Sequence, residues 1–138
     1  MANFYGTART NYFEVKDLEA FETAMSRLPD LEIIYNNGLV GLMVDDGDSG
    51  CFPSYTYDEE NEEFSEQEID IAEYVAAHLA DGAVAIFIQA GAEKLRYVSG
   101  YAEAINSKYQ RKFVSLDDIY DLAAGLTTSA KAITRAEY

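Results

Sequence analysis

From Leu28 to Glu93 the chain runs for sixty-six residues without a lysine or an arginine. The same stretch holds sixteen carboxylates. The flanks are nearly balanced: residues 1–27 carry three basic and four acidic side chains, and residues 94–138 carry seven and five. Almost all of the formal net charge of −15 therefore sits in the middle. Charge segregated in this way creates a directed negative field that draws in basic partners. It repels phosphates, so direct binding to DNA, RNA or an anionic membrane is not expected.

Cysteine is the next scarcity. Cys51 is the only one in 138 residues, which leaves no intrachain disulfide and no multi-cysteine metal site. Tryptophan is absent. No apolar run approaches the roughly 20 residues of a membrane span. The opening, MANFYGTARTNYFEV, lacks a basic segment followed by an apolar one, so no secretory signal is read there and the cytoplasm is the default location. Phosphate cradles are missing too. There is no GxGxxG, and GAEK at 91–94 lacks the flanking glycine and hydroxyl of a P-loop. No cofactor is expected.

What is present suits one domain with a core of ordinary size, since 49% of the residues are apolar. A first strand is read over 3–15, through Phe4, Tyr12 and Val15. Asp17 caps a first helix whose Leu18, Phe21, Met25 and Leu28 share one face, and Pro29 stops it. Glu32–Tyr35 and Leu39–Val44 form a hairpin around Asn36, Asn37 and Gly38, residues that tolerate positive φ. A long acidic connection spans 45–64. Ser65 with Glu68 matches a capping box, and Phe64 with Ile69 its staple, which predicts a second helix from 65 or 66 to Gly82. Its buried stripe would be Ile69, Ala72, Ala76 and Leu79, with Val75 at the edge. Ala83–Gln89 reads as a central apolar strand. A turn at Ala90–Gly91–Ala92 leads into a strand from Lys94 to about Asn106, where Gly100 marks a bulge or a close approach. A short strand over Arg111–Val114 precedes a third helix, opened by Ser115 and Asp118, stapled by Val114 and Ile119, and ended by Gly125.

The order β-α-β-β-α-β-β-α predicts a two-layer α+β domain with helices on a mainly antiparallel sheet. Its first six elements match a ferredoxin-like split βαβ unit. Fold class of this kind implies no activity.

Asp58, Glu59, Glu60, Glu62, Glu63, Glu66, Glu68, Asp70 and Glu73 fall within sixteen residues. A row of carboxylates at several-ångström intervals has the charge spacing of a nucleic-acid backbone. Tyr55 and Tyr57 stand directly before it, and tyrosine is a preferred interface anchor. Two readings follow. In one, Tyr55, Tyr57, Asp58, Glu59, Glu60, Glu62, Glu63, Glu66, Asp70 and Glu73 bind a basic nucleic-acid-binding protein, as a non-enzymatic inhibitor that mimics nucleic-acid charge. In the other, the acids only solubilise a protein–protein adaptor or assembly factor, and the interface is an apolar patch elsewhere. The basic residues Lys94, Arg96, Lys108, Arg111 and Lys112 either pair with the acids or form an opposite pole, and a dipole of that kind favours a homodimer. Asp45, Asp46 and Asp48 fail the calcium-loop pattern, because Cys51 and Tyr57 stand where it needs glycine and glutamate. Cys51 and His78 offer a catalytic pair only if the fold brings them into contact.

Three stretches carry a resemblance: ANFYGTARTNYFEVKD at 2–17, GAEKLRYVSGYAEAINSK at 91–108 and VSLDDIYDLA at 114–123. They resemble a family of small acidic proteins encoded by bacteriophages, plasmids and other bacterial mobile elements. The resemblance covers about a third of the chain and brings no catalytic residue with it. It implies a bacterial host cell and, by analogy with other small acidic proteins of that setting, an anti-defence role of the anti-restriction or anti-CRISPR type.

Overall fold

The first strand of the chain lies inside the sheet, flanked by strands that come much later. In a computed structural model, which describes residues 4–44, 50–56, 67–93 and 97–136, the order along the main sheet is β2-β3-β1-β6-β7-β8. Here β1 is Phe4–Thr10, β2 Leu31–Asn36, β3 Leu39–Val44, β6 Val84–Glu93, β7 Tyr97–Asn106 and β8 Arg111–Ser115. Every neighbouring pair is antiparallel. Helix α1 (Leu18–Met25) joins β1 to β2, and helix α2 (Ile71–Ala76) stands between β3 and β6. Each helix thus links two parallel strands with a third strand inserted between them. That is the arrangement of a split βαβ unit, extended at the β6 side by β7 and β8. A separate two-stranded sheet pairs β4 (Tyr55–Thr56) with β5 (Gln67–Glu68). Helix α3 (Asp118–Ala123) follows β8. The protein is an α+β fold with helices packed on an antiparallel sheet.

Strand alternation sorts the side chains onto two faces. Ala8 and Thr10 on β1, Val40 and Leu42 on β3, Ala85 and Phe87 on β6, and Ile105 on β7 are buried on one of them. Phe21, Met25 and Leu28 from the α1 segment and Ala72, Val75, Ala76 and Leu79 from the α2 segment close over the same face. Phe21 meets Phe13 edge-on at 5.9 Å and His78 at 6.0 Å between centroids. The Tyr74 hydroxyl donates to the Ala24 carbonyl at 2.8 Å and ties the two helices together.

Local signals explain most of these elements. The Asp17 carboxylate accepts from Ala20 N at 3.1 Å and starts α1. Asn37 and Gly38 both take positive φ, 51° and 81°, between paired Asn36 and Leu39, which is what a tight hairpin between twisted strands requires. The Asp118 carboxylate accepts from Ser115 N at 2.7 Å just ahead of α3, although Asp117, and not Ser115, is the N-cap.

Five expectations need correction. The second helix starts at Ile71, not at 65 or 66. Asp70 is its N-cap, accepting from Ala72 N at 3.0 Å and Glu73 N at 3.5 Å. Gln67 and Glu68 are instead extended and pair with Thr56 and Tyr55. The helix also closes early, at Ala76, and Leu79 bridges to Val15. Val75, expected at the edge of the stripe, is fully buried. Ala90–Gly91–Ala92 is not a turn, because β6 pairs through it with Gly100, Ser99 and Val98. Finally, β1 ends at Thr10, and Phe13 and Val15 make only isolated bridges. Gly100 is a close approach without a bulge, since an added Cβ would lie 3.2 Å from both the Gln89 carbonyl oxygen and Leu116 Cδ1.

Candidate functional site

Ten residues are the sequence candidates, and the structure describes three of them. Tyr55 is half-buried on β4, opposite Glu68. Asp70 and Glu73 are exposed at the start of α2. Tyr57, Asp58, Glu59, Glu60, Glu62, Glu63 and Glu66 lie outside the described residues, as do Asp45, Asp46 and Asp48.

Asp70 and Glu73 do not stand as unopposed charges. Arg111, the first residue of β8, points to the helix-covered side because its partner Ile105 is in the core. Its Nη1 lies 2.7 Å from Asp70 Oδ2 and 3.6 Å from Glu73 Oε1. Its Nε and Nη2 bond Glu103 on β7. One guanidinium thus joins the α2 cap to two strands and answers three carboxylates. For Asp70, burial alone would raise the pKa. The Arg111 hydrogen bond and charge, with the N–H groups of Glu73 and Ala72, outweigh it and hold the group below its ordinary 3.8.

Cys51 and His78 sit in different settings. Gln89 Nε2 lies 3.7 Å from the Cys51 sulfur, on the connection that reaches Phe52, whose ring stacks edge-on against Phe87. His78 follows α2 and lies between the rings of Phe21 and Tyr74. Burial lowers its pKa below 6.5, and the nearby Lys16 charge adds to that while Asp17 opposes it. Among the described residues no group of three His, Cys, Asp or Glu side chains is placed to hold a metal ion. No helix among them is long and apolar enough to cross a membrane.

These two depressed pKa values contribute to the response to acid. The folded protein binds fewer protons at His78 and Asp70 than the unfolded chain does, so acid favours unfolding. The His78 contribution is complete above about 6.5 and is lost as pH falls through the folded value. The Asp70 contribution disappears only at still lower pH. Urea midpoints measured across pH should stay level down to about pH 6.5 and then decline. His78→Gln should remove the first part of that decline, and an identical profile in the variant would show that His78 does not cause it.

The feature that sequence reasoning missed is the other face of the sheet. The same alternation that buries Ala85 and Phe87 turns Val84, Ile86 and Ile88 outward, and Ala102 and Ala104 face the same way on β7. Val98 on β7 and Val114 on β8 continue the surface. Ile88, Val98 and Val114 are 51%, 59% and 55% exposed. A shallow depression of about 200 Å³ runs across it, lined by Ile88, Ala90, Gly100, Ala102, Val114 and Leu116. Neither α1 nor α2 covers this side, since both contribute to the opposite core. The clue in the sequence was β6 itself. A strand apolar on both faces reads as central and covered twice, yet the two helices that join the strands of the split unit cover one face only. Its rim carries Arg9, paired across the strands with Ile88, and Lys112, paired with Ala104. Apolar faces of this kind on a protein surface mark sites of interaction.

No family model, curated protein or solved structure matches this chain.

Proposed function

We propose that the protein is a non-enzymatic protein-binding module, an adaptor or assembly factor, that docks through the uncovered sheet face. The acidic middle of the chain then maintains solubility. The single observation that carries this reading is the continuous apolar surface of β6, β7 and β8, with Ile88, Val98 and Val114 all more than half exposed. An exposed apolar surface costs solubility, and a net charge of −15 offsets that cost. The resemblance to proteins of bacterial mobile elements suggests a partner in a bacterial host cell.

A second reading is the nucleic-acid mimic, which rests on the density of carboxylates in 58–66. It is the weaker one, because Arg111 answers Asp70 and Glu73 and shortens the unopposed line. Affinity capture from a bacterial lysate at low and high salt separates the two. The adaptor reading expects the captured proteins to persist at high salt and to fall at least about tenfold, or ~1.4 kcal/mol, with an Ile88→Asp, Val114→Asp double variant. The mimic reading expects loss at high salt, and loss when Glu62, Glu63, Glu66 and Asp70 are changed to lysine. Capture that survives the double variant and fails with the lysine variant overturns the adaptor.

A further inference from the structure

We infer that the free edge of β2 pairs with the β2 of a second copy of this chain, antiparallel and about a two-fold axis at Ile34. This edge is at the opposite end of the sheet from β8, and the pairing does not depend on docking through the face of β6, β7 and β8.

An open sheet has two edges, here β2 and β8, and folded proteins guard such edges with charge, proline, bulges or cover. The β8 edge is guarded. Asn106 N bonds the Gln110 carbonyl and Leu116 N bonds that of Gly100, so the alternation of the ladder turns the backbone groups of Arg111, Phe113 and Ser115 outward. The Asp118 carboxylate takes the Ser115 N–H. A copy pairing through Arg111 and Phe113 would set Lys112 directly against Lys112, and like charges opposite one another are destabilising. The β2 edge has none of this. Its sequence is LEIIYN, with one charge and no proline, and it pairs with β3 without a bulge. Asn36 and Leu39 flank the two-residue turn and so form a hydrogen-bonded pair. Glu32, Ile34 and Asn36 therefore bond β3, and Leu31, Ile33 and Tyr35 present their N–H and C=O groups to the outside. Among the described residues none of these outward groups has a hydrogen-bond partner, and no residue of β2 is buried.

The strand is complementary to itself. When Ile33 exchanges both backbone bonds with Tyr35 of the other copy, symmetry repeats the exchange between Tyr35 and the other copy's Ile33. That register fixes every side-chain neighbour. Ile34 meets Ile34 on the axis, and Glu32 meets Asn36 rather than another carboxylate. Leu42 and Val40, the β3 partners of Ile33 and Tyr35, are in the core, so the Ile33–Tyr35 contacts form on the helix-covered side and the Ile34 contact on the other. Aromatic side chains opposite β-branched ones are favourable cross-strand pairs. Tyr35 is already set for one: it is 56% exposed, and its hydroxyl donates to Glu22 at 3.0 Å. Strand addition draws its affinity from main-chain hydrogen bonds, with side chains setting the register, so it does not need a broad apolar surface. The two-fold axis stands perpendicular to the sheet, and both uncovered faces come to lie on the same side of one continuous sheet.

The test is disulfide trapping of the full chain with oxidised glutathione in a Cys51→Ser background, at about 100 μM protein in ~0.15 M and ~1 M NaCl, with screening lengths of about 8 and 3 Å. Antiparallel neighbours that do not share hydrogen bonds stand about 4.5 Å apart between Cα atoms, inside the range that a disulfide spans. Ile34→Cys should therefore cross-link two copies. Glu32→Cys is more exposed but faces Asn36, and should cross-link at least about tenfold more slowly. Light scattering should show a wild-type dimer that tightens at the higher salt, because two copies of charge −15 repel each other. Tyr35→Pro removes one outward N–H and no bond to β3, and should give a monomer with the circular dichroism of the wild type. Equal cross-linking of the two cysteine variants overturns the inference, since chance collision then explains both. So does a wild type that stays monomeric in both salts, or a folded Tyr35→Pro variant that remains a dimer. Each of these outcomes leaves lysate capture through Ile88 and Val114 as a separate test of the docking reading.

Discussion

Phe21→Ala is expected to remove about 3–5 kcal/mol of folding stability. Phe21 is fully buried. Its ring is the meeting point of three segments: α1, which carries it, Phe13 of the β1–α1 connection, and His78 behind α2. Truncation leaves a cavity that both helices border, and close-packed neighbours relax into such a space only partly. Against a total of about 5–15 kcal/mol for a domain, a loss of this size lowers the thermal midpoint by roughly 10–15 °C. Leu126→Ala is the matched control. That side chain is 89% exposed, and a surface truncation stays within about 0.5 kcal/mol. Equal effects for the two variants in calorimetry would mean that the core is not centred on Phe21.

The second large effect belongs to a glycine. Gly50 takes φ of 57°, and a Cβ added there would collide with the Gly6 carbonyl on β1. An alanine meets two costs at once. The left-handed conformation costs roughly 1–2 kcal/mol for a residue with a side chain, and displacing backbone in a packed site adds about 1–3 kcal/mol. Gly50→Ala should therefore lower the urea midpoint by about 1–2 M at a slope of ~2 kcal/mol/M. Gly38 isolates the first cost, since it has φ of 81° and nothing within 4 Å of an added Cβ. A Gly50→Ala midpoint no lower than that of Gly38→Ala would show that the approach to Gly6 is not tight.

The difference between these glycines also shows where sequence reasoning succeeds. Gly38 announces itself through the Asn-Asn-Gly run between two apolar strands, because turn chemistry is local. Asp17 with Phe21, Met25 and Leu28 is local in the same sense, and α1 forms where the spacing places it. Gly50 sits in DDGDSG, which reads as a polar turn, and nothing nearby reveals that β1 comes within van der Waals range. The start of α2 failed for a related reason. Ser65 and Glu68 fit a capping box, but Glu68 is drawn into a strand by Tyr55, thirteen residues away. Asp70 then caps the helix five residues later than the pattern suggests. Arg111 is the clearest case at the candidate site. The sequence offers it as one of five basic residues that either pair with the acids or stand apart, and which carboxylates it meets depends on the packing, since its three partners come from α2 and β7. Strand existence was legible in β6, whereas which of its faces would be left open depended on where the helices of the split unit pack.

The interior position of β1 has a consequence for the order of events in folding. Thr10 pairs with Phe87, nearly eighty positions later, while Arg9 faces Met43 on its other side. At about 5–20 residues per second of synthesis, β1 waits several seconds for the strand that completes its ladder. The hairpins β2–β3 and β6–β7 close over short distances and need no such wait. The topology thus predicts two quickly formed hairpins and a folding rate limited by the late insertion of β1 between them rather than by the helices.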